Sequence, residues 1–355
     1  MSSVLFFDPS CQQPYDTRTL QEKATGGTEA SVTRVADALG AYVMQHNRTE
    51  ASGRYLPPGR MAGIEHVILN RDSRALPMIR DLFPGARPYL WVHDRLHPTS
   101  KRGRRLARSA AELRDMEVTV ICVSDTQRRG VEATLNKIGV GDVSRACTIY
   151  NPVDDSLVPD GSPIDRNKLV FFSSPNKGLA FTLDAFRALR RRMPQLRLQV
   201  GNPGYKSRKP ASIDGVDYLG PQPQRRIHAE VRTALCTFFP NFVIPETFGL
   251  VFAESRAVGT PVLTVDCGAA AEIVGDPQQV LPVSFAQRAY EAVTSALSPA
   301  QRAGPAWLAD KAGLFDAFAE RIRAWRDGAR PHAEPDPRFR LTAVADRWRA
   351  ILGIR

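Results

Sequence analysis

The amino-acid sequence predicts an α/β protein of two domains, each built on a mostly parallel sheet. Three observations carry that expectation. Short apolar runs alternate with stretches of helical periodicity along most of the chain. A segment with little periodicity that contains Pro152, Pro159 and Pro163 interrupts the alternation near the middle, from residue 151 to about 166. The length, 355 residues, suits two domains at roughly 150 residues each. The first domain is read over residues 1–150 and the second from residue 151.

The elements follow in order. Residues 4–7 are all apolar and read as a first buried strand. Val32, Val35, Ala36 and Leu39 fall at i, i+3, i+4 and i+7, which predicts a helix ending at Gly40. Strands are expected at 41–44, 66–69, 89–92, 118–123 and 147–150; His93-Asp94 closes the third and Ser124-Asp125 the fourth. In the second half, strands are expected at 169–172, 196–200, 216–219, 235–239 and 261–265. Leu179, Leu183 and Phe186 mark a helix after the first of these. Beyond Phe285 the chain is expected to be helical, with a proline-rich break at 331–337. Leu341, Val344, Ala345 and Trp348 then mark a final amphipathic helix.

Composition narrows the function classes. No apolar run approaches the ~18 residues of a membrane span. The apolar segment at the N-terminus is too short for a secretory leader and lacks a basic start, so a cytoplasmic location is expected. The five cysteines are scattered and odd in number, and no pair has metal-ligand spacing; they read as reduced core thiols. Lys and Arg number 48 against 37 Asp and Glu, a net charge of +11. That excess suits phosphorylated small molecules, an anionic membrane surface or nucleic acid. Neither aromatic interleaving nor a nucleic-acid module accompanies the charges, so nucleic acid is not an expected partner.

The densest chemistry lies in Pro245-Glu246-Thr247-Phe248-Gly249-Leu250-Val251-Phe252-Ala253-Glu254. Glu246 sits on the loop where a buried strand ends, and Glu254 lies inside the following helix. A helix N-terminus carries unpaired amides and a positive dipole end, suited to phosphate. Two acids beside it can accept hydrogen bonds from sugar hydroxyls while the amides hold a diphosphate. A solvated Glu pair is the plain alternative. Thr25-Gly26-Gly27-Thr28-Glu29 opens the first helix. Its paired glycines permit positive φ and close approach of a ligand, and Thr28 can cap the helix. The loop 173–178 repeats the theme in the second domain, with Lys177 placed to neutralise a diphosphate. His93 and Asp94, and Asn70-Arg71, occupy strand ends, the ligand side of a parallel sheet. Arg71 can bind an anionic acceptor group or form a surface ion pair. Between residues 95 and 114, Lys101, Arg104, Arg105 and Arg108 share one helical face and Leu106, Ala110 and Leu113 the other, with Thr99 or Ser100 as cap. Two readings stand: a solvated face over a buried stripe, or a peripheral dock for anionic lipid on the inner membrane face. The chain contains no Asp-x-Asp, so no metal is expected to hold the diphosphate.

Together these residues resemble the retaining glycosyltransferases of the two-domain GT-B type, a group (family 4-like, group 1) that includes bacterial lipopolysaccharide, mannosyl and sucrose-type transferases. The likeness is strongest over 169–276. Glu246 and Glu254 match the E-x7-E signature, Lys177-Gly178-Leu179 the Lys-Gly loop, and Gly26-Gly27-Thr28-Glu29, His93-Asp94, Ser124-Asp125 and Asn151-Pro-Val-Asp154 weaker signposts. The resemblance implies two Rossmann-like domains facing across a cleft, the second ending near 337. It also implies that a helix at about 338–355 returns to the first domain. It implies transfer of a hexose, with retention, from a nucleoside diphosphate sugar to a glycan, lipid-linked or small-molecule acceptor, with no cofactor. Glu246, His93 and Lys177 are the implied catalytic residues. Gly26, Gly27, Lys177, Phe248, Gly249, Leu250 and Glu254 are implied to bind donor, and Arg71 and Asp94 are candidates for acceptor. A nucleotide-sugar epimerase on the same fold, or a non-catalytic sugar-nucleotide binder, are the alternatives. One departure stands out: Phe172 occupies the place of an Arg usual in that group, so Arg225 or Arg226 must supply the second charge or donor affinity is reduced.

Overall fold

The computed structural model describes residues 2–202, 212–241, 244–282 and 313–354. The chain divides into two compact units: Met1–Leu20, Gly26–Asp154 and Pro337–Arg355 form the first, and Gln21–Thr25 with Asp155–Asp336 the second. Each holds one all-parallel sheet.

In the first unit the strands are β1 (Val4–Asp8), β2 (Tyr42–Gln45), β3 (Tyr55–Leu56), β4 (His66–Asn70), β5 (Arg87–Val92), β6 (Thr119–Cys122) and β7 (Ala146–Thr148), in the order β3-β2-β1-β4-β5-β6-β7. The chain starts in the middle and winds outward both ways, so its direction switches between β1 and β4. The central strands are buried along their length, as strands covered on both faces must be. The brief β3 was not expected, because it has no apolar run of its own. Phe6, Trp91 and Trp348 meet in this core. Trp348 stands edge-on to Phe6 at 5.7 Å and to Trp91 at 5.0 Å. It is delivered by the final helix, Leu341–Leu352, which returns from the far end of the sequence. Val153 N–H donates to Phe339 O at 2.7 Å, and Leu341 N–H to Val153 O at 2.9 Å. The outgoing and returning chain are thereby stitched together.

The second sheet comprises β8 (Asp165–Phe172), β9 (Arg197–Asn202), β10 (Val216–Pro221), β11 (Ala234–Phe239), β12 (Val262–Val265) and β13 (Val280–Leu281), in the order β10-β9-β8-β11-β12-β13. Its switch lies between β8 and β11. Phe171 and Phe239 stack there at 5.3 Å, and Phe239 meets Phe252 edge-on at 5.3 Å. These rings form the floor beneath the strand ends.

Two local expectations need correction. Thr28 does not cap the first long helix: Gly26 is its N-cap, in extended conformation, and neither Gly26 nor Gly27 adopts positive φ. Thr28 lies within the first turn, too late to serve its own amides. The basic helix caps on Ser100, whose Oγ accepts from Gly103 N–H at 3.0 Å, but it breaks at Ser109. That hydroxyl donates to Ser73 Oγ at 3.0 Å, and a second helix, Ala110–Asp115, begins there. Of the helix expected beyond Phe285, Leu314–Asp327 is present, while residues 285–312 lie outside the described residues.

Candidate active site

The second unit brings Lys177 and Glu246 together. Lys177 follows β8 and Glu246 follows β11, so both stand at the carboxyl ends of the two strands flanking the switch. Ligands of open parallel sheets bind there. Lys177 Nζ lies 2.9 Å from Glu246 Oε2. The Glu246 side chain is 7% exposed, and its Oε1 is buried with no hydrogen-bond partner among the described residues. A buried carboxylate oxygen left open is costly and therefore informative.

The backbone of Glu246 is fixed from the β12 side. Its carbonyl accepts from Ala269 N–H at 2.8 Å, and the residue forms an isolated parallel bridge with Gly268. Gly268 has φ +67°, and a Cβ there would fall 2.3 Å from Glu246 O. Only glycine allows this approach. The Lys loop is held against the same segment. Gly178 abuts the buried Asn241, whose Nδ2 donates to Ile244 O at 2.8 Å, so two loops far apart in sequence share one wall. The helix Leu250–Ala257 then starts from Gly249, in the left-handed region at φ +87°. Glu254 lies on this helix, 14% exposed, with its Oε2 3.5 Å from His228 Nε2. The acid pair is thus shielded instead of splayed into solvent.

The departure at residue 172 has a packing explanation. Phe172 is buried against Gly201, where a Cβ would fall 2.4 Å from its ring. Arg226 Nη2 lies 2.5 Å from Glu230 Oε1, and Lys168 Nζ lies 2.5 Å from the other oxygen of that carboxylate. The Arg226 charge is therefore directed away from the Lys177 loop. Arg225 is exposed.

The first unit gathers a second polar cluster at the carboxyl ends of β1, β4 and β5. Asp8 is buried. Its Oδ2 accepts from Tyr15 Oη at 2.9 Å and Asn70 Nδ2 at 2.8 Å, and its Oδ1 from Ser10 N–H at 3.0 Å. Glu29, one turn into the helix Gly27–Leu39, faces the same charges. Burial holds its carboxyl above the usual range; Arg71 pulls it down, and Asp8 and Asp94 push it up. Arg71 sits at φ +68° and lies over Asp94 (Nε to Oδ2, 2.9 Å). Of the two roles open to Arg71, the ion pair is the one observed. Asp94 also accepts from Arg102 Nη1 at 2.6 Å. Burial raises the Asp94 carboxyl, but Arg71 and then Arg102 pull it below its ordinary value.

The His93 ring packs beside Trp91, centroids 4.5 Å apart and tilted by 49°. Burial, and then the Arg71 charge, push its imidazole from 6.5 down to about 3. The ring is neutral at physiological pH and can accept a proton only weakly. Stability follows. Above pH 6.5 neither folded nor unfolded His93 carries the proton; below it the unfolded chain takes a proton that the folded ring refuses. The stability advantage of the parent over His93→Gln should therefore narrow as pH falls from 6.5 toward about 3, by about 1.4 kcal/mol per pH unit. Paired urea titrations across that range measure it; a constant gap means that the ring is not held neutral.

Residues 166–298 match the family model for "Glycosyl transferases group 1". They carry a group 1 glycosyltransferase domain. The stretch contains Lys177, Glu246, Glu254 and the glycines that position them. A D-inositol 3-phosphate glycosyltransferase of Corynebacterium efficiens is 28% identical over 216 residues, which cover 55% of this chain and 47% of that protein. The match thus spans about half the length of that relative. Among solved structures, HepE of Anabaena in complex with UDP and glucose aligns with TM-score 0.61 at 15% identity, covering 99% of each chain. WaaG, a glycosyltransferase involved in lipopolysaccharide biosynthesis, aligns with TM-score 0.58 at 13% identity, covering 98% of this chain and 99% of that one. These likenesses establish the fold, that of the GT-B glycosyltransferases.

Within the glycosyltransferase domain, sequence reasoning missed His228, Asn241 and Gly268. Only Gly268 had a signal, a glycine directly between a strand and a helix. In the first unit it missed Asp8 and Arg102; Asp8 was readable as the polar residue ending an apolar run. The basic face is real but smaller than expected. Lys101, Arg104 and Arg108 are exposed, Arg105 is half-buried, and Leu106 and Leu113 are buried. The thiols of Cys122 and Cys236 are buried in β6 and β11, and burial pushes both up, away from reactive thiolate. Among the described residues no helix is long and apolar enough to cross a membrane.

Proposed function

We propose that this chain is a retaining glycosyltransferase that moves a hexose from a nucleoside diphosphate sugar to a glycan, lipid-linked or small-molecule acceptor. The observation that carries the proposal is the Lys177–Glu246 pair at the switch between β8 and β11, beside the start of the helix Leu250–Ala257. In this reading the diphosphate competes with Glu246 for the Lys177 ammonium. Glu246, relieved of its partner, accepts hydrogen bonds from sugar hydroxyls, and Glu254 accepts them from ribose. The helix N-terminus and Lys177 stabilise the charge that grows on the leaving diphosphate, which is electrostatic catalysis by preorganised groups. The departing phosphate takes the acceptor proton on the face it leaves, which retains configuration. The ammonium and helix dipole supply the neutralisation that a divalent cation gives elsewhere, so the reaction is proposed to need no metal. His93, held neutral at the carboxyl end of β5, can offer a hydrogen bond to a sugar hydroxyl without adding charge.

A thermal-shift screen of UDP, GDP and ADP sugars tests this directly. The true donor at a hundred times its Kd stabilises the folded protein by about 2.7 kcal/mol and raises the transition by a few degrees. Product analysis by NMR then reads the anomeric configuration. No shift with any nucleotide sugar removes the proposal, and an inverted product removes retention. Phe172 at the place of the usual Arg favours one rival, a sugar-nucleotide binder without activity. A donor that stabilises the protein but is never transferred or hydrolysed establishes that rival.

A further inference from the structure

Glu254, the second acid of the pair, faces a histidine that the proposed mechanism leaves without a task. We propose that His228 is the positioning residue for Glu254: its imidazole N–H takes one carboxylate oxygen when the donor binds and turns the other toward the ribose hydroxyls. The inference rests on the transferase reading and deepens it, because it names what makes the site prefer ribose to deoxyribose.

Three observations support it. The first is an open buried atom. His228 Nε2 is buried and makes no hydrogen bond among the described residues. The side chain is 9% exposed, and a buried polar atom left open is costly. Glu254 Oε2 lies 3.5 Å away, longer than a good hydrogen bond. Rotation of the carboxylate alone closes that gap. Contacts of this kind tighten when a ligand draws the group into line.

The second is rigidity. His228 lies on the helix Gln224–Arg232 and Glu254 on the helix Leu250–Ala257. A buried path of hydroxyls ties the two together. Ser255 Oγ, one residue past Glu254, lies 2.8 Å from Thr237 Oγ1 and donates to Thr260 O at 2.9 Å. Thr260 Oγ1 in turn donates to Val231 O at 2.9 Å, one turn past His228. Lys168 Nζ anchors the first helix from below, donating to Glu230 Oε2 at 2.5 Å and Thr233 Oγ1 at 2.8 Å. The backbones are thus fixed, and only side-chain torsions remain to aim the carboxylate. The third is the direction of the other charges. Arg226 is directed to Glu230, Arg232 to Asp160 and Arg256 to Asp336. Each turns away from Glu254. The substitute matters chemically. One imidazole N–H holds one oxygen and leaves the other for hydroxyls, whereas the fork of an arginine would take both.

The test reads the ribose directly. Whichever of UDP, GDP or ADP stabilises the intact protein is titrated calorimetrically, beside its two monodeoxy forms. The parent should prefer the ribonucleotide to at least one deoxy form about ten- to a hundredfold. His228→Leu should weaken the ribonucleotide about tenfold and leave that deoxy form within twofold, so the preference falls by the same factor. Glu254→Gln added to His228→Leu should cost less than it costs in the parent, because the two residues act as one unit. His228→Gln, whose amide N–H can reach the same oxygen, should restore part of the preference. Should His228→Leu fail to fold, NMR of the imidazole nitrogens in the parent decides instead. The His228 Nε2 signal should move with the ribonucleotide and stay with the deoxy form. Equal weakening of both nucleotides in His228→Leu, no weakening of either, or an Nε2 signal blind to the ribose makes His228 a packed core histidine and overturns the proposal. A parent that binds ribo- and deoxynucleotide alike overturns it too, and takes the ribose from Glu254 while Lys177 and Glu246 keep their roles. A parent that binds no nucleotide removes the transferase reading, and this inference with it.

Discussion

Lys177→Ala is expected to lower kcat for sugar transfer on the order of 10²–10³-fold, the range seen when one preorganised donor to a developing anion is removed. Two losses combine. On the proposed mechanism, the leaving diphosphate loses the ammonium assigned to it. The Glu246 carboxylate, 7% exposed and 2.9 Å from that ammonium, is left buried without its partner. The kinetic split separates them. A loss confined to kcat marks stabilisation that exists only in the transition state, and a rise in donor KM marks ground-state grip on the diphosphate. Lys177→Arg should recover only part of the rate, because a planar fork does not reproduce a compact ammonium. Turnover within threefold of the parent would remove Lys177 from the mechanism.

Gly268→Ala is expected to destabilise the second unit by about 2–4 kcal/mol and to depress transfer about a hundredfold. The added methyl would meet backbone, Glu246 O at 2.3 Å and Glu246 N at 2.8 Å, and backbone cannot swing aside. The loop carrying Glu246 must shift, and the carboxylate shifts with it. Gly275→Ala is the matched control. Gly275 has a similar φ, +71°, but no atom within 4 Å of the place its methyl would take, so only the left-handed penalty of about 1 kcal/mol applies and activity should persist. Urea unfolding and steady-state kinetics on both variants decide the matter. Equal stability of the two would show that the Gly268–Glu246 contact holds nothing in place.

The central strands were legible because they are buried on both faces and read as unbroken apolar runs, as in residues 4–7 and 235–239. Two of the residues that end those runs were legible for the same reason: His93 and Asp94 directly follow an apolar stretch, whereas Glu246 was legible from its place between a strand end and a helix start. What brings them together was not legible. Lys177 and Glu246 meet across 69 residues because β8 and β11 are neighbours at a switch, a fact of strand order and not of spacing. Arg102 hid within a run of basic residues, where only its reach to Asp94 distinguishes it from Lys101 and Arg104. Thr28 showed the opposite error. Its residue type suits a helix cap, but the cap is Gly26, two residues earlier, and the helix begins at Gly27.

The return of Leu341–Leu352 to the first unit sets an order of assembly. During synthesis residues 155–336 emerge as one uninterrupted piece, and the segment 21–25 that belongs with them is already out. The unit made later can therefore mature first. The N-terminal sheet emerges earlier but waits, with Phe6 and Trp91 lacking the indole of Trp348 until residue 348 has been made. Of the two units, the one made earlier is thus the one with the longer need of chaperone shelter.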